Sequence, residues 1–121
     1  MRVIIAGSRN FNNFNFLKRV IKKSGFQITK IISGGARGVD RLGEKYSKEI
    51  LKKDPEIFKA NWKLFGKRAG MLRNEKMAKN ADALIAICIN ESSGTKHMIN
   101  IAKNMGLKYF LVKIKYETER G

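Results

Sequence analysis

The stretch ITKIISGGARGVDRLGEKYSKEI, residues Ile28 to Ile50, decides the fold. Ile28–Ser33 is β-branched and apolar, the pattern of a short buried strand. Gly34-Gly35-Ala36-Arg37-Gly38 follows at once. Val39, Leu42, Tyr46 and Ile50 then recur in steps of three and four, which makes one apolar helical face. A strand that runs through a glycine-rich turn directly into an amphipathic helix is the opening of a β-α-β unit, whose next strand lies parallel to the first.

The same alternation extends in both directions. Arg2–Ala6 reads as a first strand, bounded by Gly7. Phe16, Leu17, Val20 and Ile21 are spaced as a helix, with Gly25 as its C-terminal cap. Beyond Pro55, Glu56–Ala60 is a weaker strand candidate, and Met71–Asn80 reads as a helix. Ala83–Ile89 is the strongest buried strand of the chain. Met98, Ile101, Ala102 and Met105 form another helical stripe, stopped by Gly106. Leu107–Val112 is the last expected strand, and Lys113–Gly121 an expected polar tail. Strand and helix in strict alternation predict an α/β fold, a mainly parallel sheet with helices on both faces. With 121 residues and 43% hydrophobic composition, residues 1–112 are expected to form a single domain.

In such a sheet, ligands bind beyond the carboxyl ends of the strands. Three strands here run into small polar residues at that edge. Arg2–Ala6 leads to Gly7-Ser8-Arg9. Ile28–Ser33 leads to Gly34-Gly35-Ala36-Arg37-Gly38. Ala83–Ile89 leads through Asn90 to Ser92-Ser93-Gly94-Thr95. Glycines let a ligand approach the backbone, N–H groups at a helix start attract anions, hydroxyls donate, and arginine grips phosphate with a planar fork. Asp40, in the first turn of its helix, is placed to accept from a ribose hydroxyl, to steer Arg37, or to serve as a helix-dipole carboxylate. Neither GxGxxG nor GxxxxGK[ST] occurs, so no dinucleotide fingerprint or P-loop is expected.

Trp62–Asn74 (WKLFGKRAGMLRN) is a fourth candidate segment, expected to fold over the same edge. Trp62 offers a ring for a base or a rim anchor. Arg73 and Asn74 are expected at a helix start, where a cation opposes the dipole. That cost implies a partner for Arg73: a bound anion, or an acid such as Glu75 or Asp82.

Composition narrows the function classes. There are 26 Lys and Arg against 10 Asp and Glu, a net charge of +16. Such a chain favours anionic partners, among them nucleotides and nucleic acid, although the cations are spread along the chain rather than gathered in a block. One cysteine, Cys88, and one histidine, His97, exclude an internal disulfide and argue against a transition-metal site. Cys88 is expected as a small core residue, and Met71, Met77, Met98 and Met105 as core on helical faces. The apolar runs are too short to span a bilayer or to act as a signal-peptide core, so no membrane association and a cytoplasmic location are expected.

VIIAGSRNF, IISGGARGVDRLGEKYSKE, GMLRNEKMAKNADALIAI and SSGTKHMINIAKNMG together resemble the YspA-like branch of the SLOG superfamily, which also includes the Lonely Guy phosphoribohydrolases and the DNA-processing protein A family. The resemblance covers most of Met1–Val112. It implies a single Rossmann-like domain that binds a nucleotide or a nucleotide-derived phosphorylated ligand. Arg73–Met77 followed by Ala81-Asp82-Ala83 is similar to the Lonely Guy arginine motif, which carries a catalytic arginine. Gly94-Thr95 matches the GT of the PGGxGTxxE motif of those enzymes, but Met98 stands where the glutamate belongs. A methionine cannot act as a carboxylate, so a hydrolase would need Glu91 or Asp40 in its place. The GSR and SGxARGxD elements are similar to DNA-processing protein A, which binds single-stranded DNA.

The favoured expectation is a nucleotide-binding sensor or sequestering module without a catalytic residue or cofactor of its own. Its site would comprise Gly7, Ser8, Arg9, Ser33–Gly38, Asp40, Arg73, Asn74 and Ser93–Thr95. A phosphoribohydrolase acting on nucleoside monophosphates and a single-stranded nucleic-acid binder are the alternatives. Rossmann-like sheets often pair, which leaves a homodimer open.

Overall fold

Asn13 starts the first helix: its side chain accepts the Phe16 N–H at 3.0 Å, satisfying one of the otherwise unpaired amides of the first turn. Gly25 ends it in a left-handed conformation, φ 72°. Between them α1 (Phe14–Ser24) buries Leu17, Val20 and Ile21, the residues whose spacing marked it in the sequence. The computed structural model describes residues 1–90 and 93–115. Along them lie β1 (Arg2–Gly7), α1, β2 (Lys30–Ser33), α2 (Val39–Tyr46), β3 (Glu56–Ile57), α3 (Trp62–Phe65), α4 (Ala69–Lys79), β4 (Ala83–Ile89), α5 (Ser93–Asn104) and β5 (Lys108–Ile114).

All five strands pair in parallel, in the order β3-β2-β1-β4-β5. The central pair runs in register from Val3 opposite Ala83 to Gly7 opposite Ile87. Side-chain alternation then divides the core in two. Val3, Ile5, Ile31, Ile85 and Ile87 pack under α1 and α2 with Leu17, Val20 and Val39. Ile4, Ala6, Ile32, Leu84 and Ala86 pack under α4 and α5 with Met77, Ala78, Met98 and Ala102. The fold is thus α/β with helices on both faces of a parallel sheet, compatible with a single Rossmann-like domain. Because β4 is covered on both faces, Ala83–Cys88 are all buried, which is why the strand is apolar without alternation. Each large side chain buried completely, such as Leu84 or Ile85, contributes about 1.5–3 kcal/mol relative to exposure. At Gly43 a Cβ would lie 2.7 Å from that of Ile5, so this glycine lets α2 sit close against β1.

Several expectations are corrected. The helical stripe fails at Ile50, which is 48% exposed. After Tyr46 the helix widens into a π-helical turn, Ser47–Leu51, and the wider turn rotates Ile50 off the apolar face. Helix α4 begins at Ala69, two residues before the expected Met71. Met77 and Met98 are core, but Met71 and Met105 are exposed. Strand β3 keeps only two residues of the expected Glu56–Ala60. Strand β5 runs on to Ile114, so Lys113 and Ile114 belong to the sheet rather than to a tail. Residues 116–121 of the expected tail, Ser92 of the third loop and Glu91 lie outside the described residues.

Candidate functional site

The chain passes outward from β1 to β2 on one side and from β4 to β5 on the other, so strand order reverses between β1 and β4. The loops that leave their carboxyl ends must diverge there, and a hollow is left between them. An open cleft of about 810 Å³ occupies this place. The three loops meet in it: Gly7, Ser8 and Arg9 after β1, Ala36 and Asp40 after β2, and Ser93, Gly94 and Thr95 after β4. Helix α4 adds Arg73 and Asn74. A side lobe of about 360 Å³ opens beside it, lined by Gly34, Ala36, Arg37, Lys59 and Ala60. Arg9, Arg73 and Trp62 border both spaces.

The glycines of the Gly34–Gly38 loop serve three different needs. Gly34 lies under two converging charged groups: a Cβ there would be 2.8 Å from Arg73 Nη1 and 3.0 Å from Asp40 Oδ2. Gly35 has φ 78°, a left-handed conformation that other residues adopt at a cost. Gly38 has the same φ, and a Cβ there would collide with the Ser8 carbonyl oxygen and the Arg9 backbone. The close approach of the β1 and β2 loops needs a glycine at 38, and Arg9 and Arg37 on the two loops share one rim.

Of the expected site residues, Ser33, Gly35 and Gly38 border neither space and act by shaping the loop. The Ser33 hydroxyl donates to Glu44 at 2.7 Å and accepts the Gly35 N–H at 3.0 Å. Ser8 is buried and stitches three elements together. Its N–H donates to the Ile87 carbonyl, its hydroxyl accepts the Ile89 N–H at 2.7 Å, and its carbonyl accepts the Val39 N–H.

Asp40 is 6% exposed. It does not steer Arg37, which is exposed in the side lobe; it turns inward beneath Gly34 and accepts the Ala36 N–H at 3.3 Å. Burial raises its pKa from 3.8 to about 6. The Ala36 N–H, the Arg73 charge and the Gly7 N–H all work against that rise, and nearby Glu44 adds to it. A carboxyl group with these surroundings changes charge near neutrality.

Arg73 is the fifth residue of α4, not part of its first turn, and its partners are neither Glu75 nor Asp82. Nη1 donates to the Gly34 carbonyl at 2.7 Å and Nε to Asn74 Oδ1 at 3.0 Å, while Asp82 accepts the Arg2 N–H. Burial lowers the Arg73 pKa, Asp40 opposes that, and the like charge of Arg9 adds to it. Arginine only donates, so the oxygen of Asn74 must face it. The amide nitrogen then faces His97 Nδ1, 3.1 Å away. His97 therefore accepts on Nδ1 and carries its proton on Nε2. The chain Arg73–Asn74–His97 runs along one wall of the cleft.

Trp62 is 55% exposed, at the mouth of both spaces, with its ring over Gly70. Met77 and Met98 border the cleft from the core. Lys67 and Asn90, from the expected candidate segments, border the site, and so do Lys59 and Asn10, which the sequence reading does not single out. The signal for Lys59 was present: it follows β3, whose carboxyl end lies on the same edge as those of β1 and β2. Cys88 is buried as expected, its thiol donating to the Asn90 carbonyl. Among the described residues, no three His, Cys, Asp or Glu side chains gather in metal-binding geometry, and no helix is long and apolar enough to cross a membrane.

No family model matches the chain, and no solved structure matches it. It is similar to the Gene 61 protein of Mycobacterium phage D29, at 31% identity over 115 residues, which covers 88% of this chain and 91% of the phage protein. The alignment spans almost the full length of both proteins, and the chain belongs to the family of that phage protein.

Proposed function

We propose that the protein binds a nucleotide or nucleotide-derived phosphorylated ligand in the cleft between β1 and β4, as a sensor or sequestering module of the YspA-like SLOG type. The observation that carries this reading is the meeting of two guanidinium groups, Arg9 and Arg73, with the amino end of α5 around one half-enclosed space. Cationic forks and helix-terminal N–H groups are the two devices proteins use most for phosphate. A Cβ at Gly94 would meet nothing within 4 Å, so its backbone is open to a ligand. Trp62 and Met71 offer apolar surface for a base. Asp40 and Asn74 offer polar atoms for a sugar. The test is a thermal-shift series with nucleoside mono- and diphosphates of all four bases, repeated on Arg9→Ala. Saturating the folded state at about 100 times Kd adds about 2.7 kcal/mol, enough for a clear rise in melting temperature. A selective rise lost in Arg9→Ala is the expected result. No rise with any nucleotide refutes the proposal.

Asp40 favours a second reading, phosphoribohydrolase. It is a carboxyl group beside an arginine in the cleft, titrating at about 6, and it meets the chemical need that Met98 cannot. Release of free base from nucleoside monophosphates, lost in Asp40→Asn, would establish it. No release from any of them removes it.

A further inference from the structure

The side lobe carries more positive charge than a single phosphate requires. Of the eight described residues around it, four are cations: Arg9, Arg37, Lys59 and Arg73. No carboxylate among the described residues borders it, Asp40 facing the larger space instead. Among the described residues the one direct ion pair is Arg2–Glu56, at another place in the fold; of the four cations only Arg73 has an acidic group acting on it, the buried Asp40. Four like charges around 360 Å³ repel one another and leave a strong positive potential. The walls do not fill the space. Gly34 and Ala36 are small, and Arg73 is held back by its bond to the Gly34 carbonyl. At this volume the lobe sits at the low end of ligand cavities, about 300–1,000 Å³. It is the smaller of the two spaces, and Arg9, Ala36, Trp62 and Arg73 are walls it shares with the main cleft, so the two are continuous.

Resting on the nucleotide reading above, we infer that the side lobe is a second phosphate site on the same ligand, so that the ligand is a nucleotide with two separated phosphates. One phosphate sits by the amino end of α5. The other enters between Arg37 and Lys59, with Arg9 and Arg73 reaching both. The second phosphate can belong to a small bisphosphorylated nucleotide or to the next link of a nucleic-acid strand. The lobe offers both the same chemistry.

The experiment compares, by titration calorimetry, nucleoside 5′-monophosphates with the matching 3′,5′-bisphosphates and 5′-diphosphates, on the wild type and on Arg37→Ala/Lys59→Ala. Both substituted residues are exposed, and circular dichroism checks that the variant folds. The expected result is that a bisphosphate binds about tenfold or more tighter than its monophosphate, and that this ratio falls to about one in the double variant. A wild-type ratio near one overturns the inference and leaves the nucleotide reading standing. A large ratio that survives in the variant also overturns it, because the second phosphate then sits elsewhere. No binding of any nucleotide removes both. A 5′-phosphorylated dinucleotide and a longer strand separate the two sources. Affinity that stops rising at the dinucleotide marks a small ligand, and affinity that rises with length marks a strand.

Discussion

Asp40→Asn should make the protein more stable at neutral pH, by an amount the structure fixes. Burial moves the carboxyl group from 3.8 to about 6, and each pH unit of displacement corresponds to about 1.36 kcal/mol. Ionising Asp40 in the folded state therefore costs about 3 kcal/mol more than ionising it in the unfolded chain. Between these two values the folded protein keeps a proton that the unfolded chain has released. The associated stability is fully present below about 3.8, falls as pH rises, and is gone above about 6. An asparagine keeps an oxygen for the Ala36 N–H and never ionises. Other titrating groups are common to both proteins and cancel in the comparison. Urea unfolding followed by circular dichroism, run on both between about pH 3.5 and pH 7, should show the variant gaining about 3 kcal/mol on the wild type across that range. A difference that stays constant, or that shrinks toward neutral pH, refutes the argument that burial dominates the surroundings of Asp40.

Three other outcomes are expected. Removing the charge in Arg73→Met should raise the Asp40 pKa above about 6, since Arg73 is one of the influences holding it down; a carbon-13 titration of the carboxyl group reads this directly. Gly38→Ala should destabilise the fold by about 2 kcal/mol or more, from its left-handed backbone and the collision with Ser8, whereas Gly94→Ala, with open space around it in a helix, should gain up to about 1 kcal/mol; chemical denaturation compares the two. A net charge of +16 should give weak binding of single-stranded DNA that falls steeply as salt rises to about 0.2 M, while mononucleotide binding in the half-enclosed cleft weakens less; fluorescence anisotropy and calorimetry measure the two.

The sequence was most legible where one physical demand ruled. Ala83–Ile89 is covered on both faces, so nothing in it but apolar residues fits, and its limits agree with the expectation. Gly25 marked the end of α1 because a left-handed cap leaves few choices. Legibility fell where two demands met. The face of α2 reads cleanly to Tyr46, but a period of 3.6 cannot foresee a π-helical turn, so Ile50 was misplaced. The start of α4 was hidden because Trp62–Arg68 has no buried side chain and so no periodicity. In the site, the three loops and their shared edge could be read from strand ends alone. The roles of the glycines could not. Gly34 is required by side chains from α2 and α4, and Gly38 by the backbone of the β1 loop. For Asp40 the sequence leaves a ribose contact, a hold on Arg37 and a capping carboxylate side by side, because local sequence carries no information on what will cover it.

The two halves of the sheet join along a single seam, between its first strand and its fourth. Strand β1 pairs with β2 across fewer than thirty residues, Arg2 with Lys30, but with β4 across eighty, Val3 with Ala83. Closing the longer loop costs more chain entropy and its contacts come late, so this pairing should be the slow step of folding. The cleft straddles that seam. It does not exist in any partly folded chain that has formed only β1, β2 and their helices. Whatever binds there holds β1 and β4 together, and its effect should appear as slower unfolding, with the rate of folding little changed.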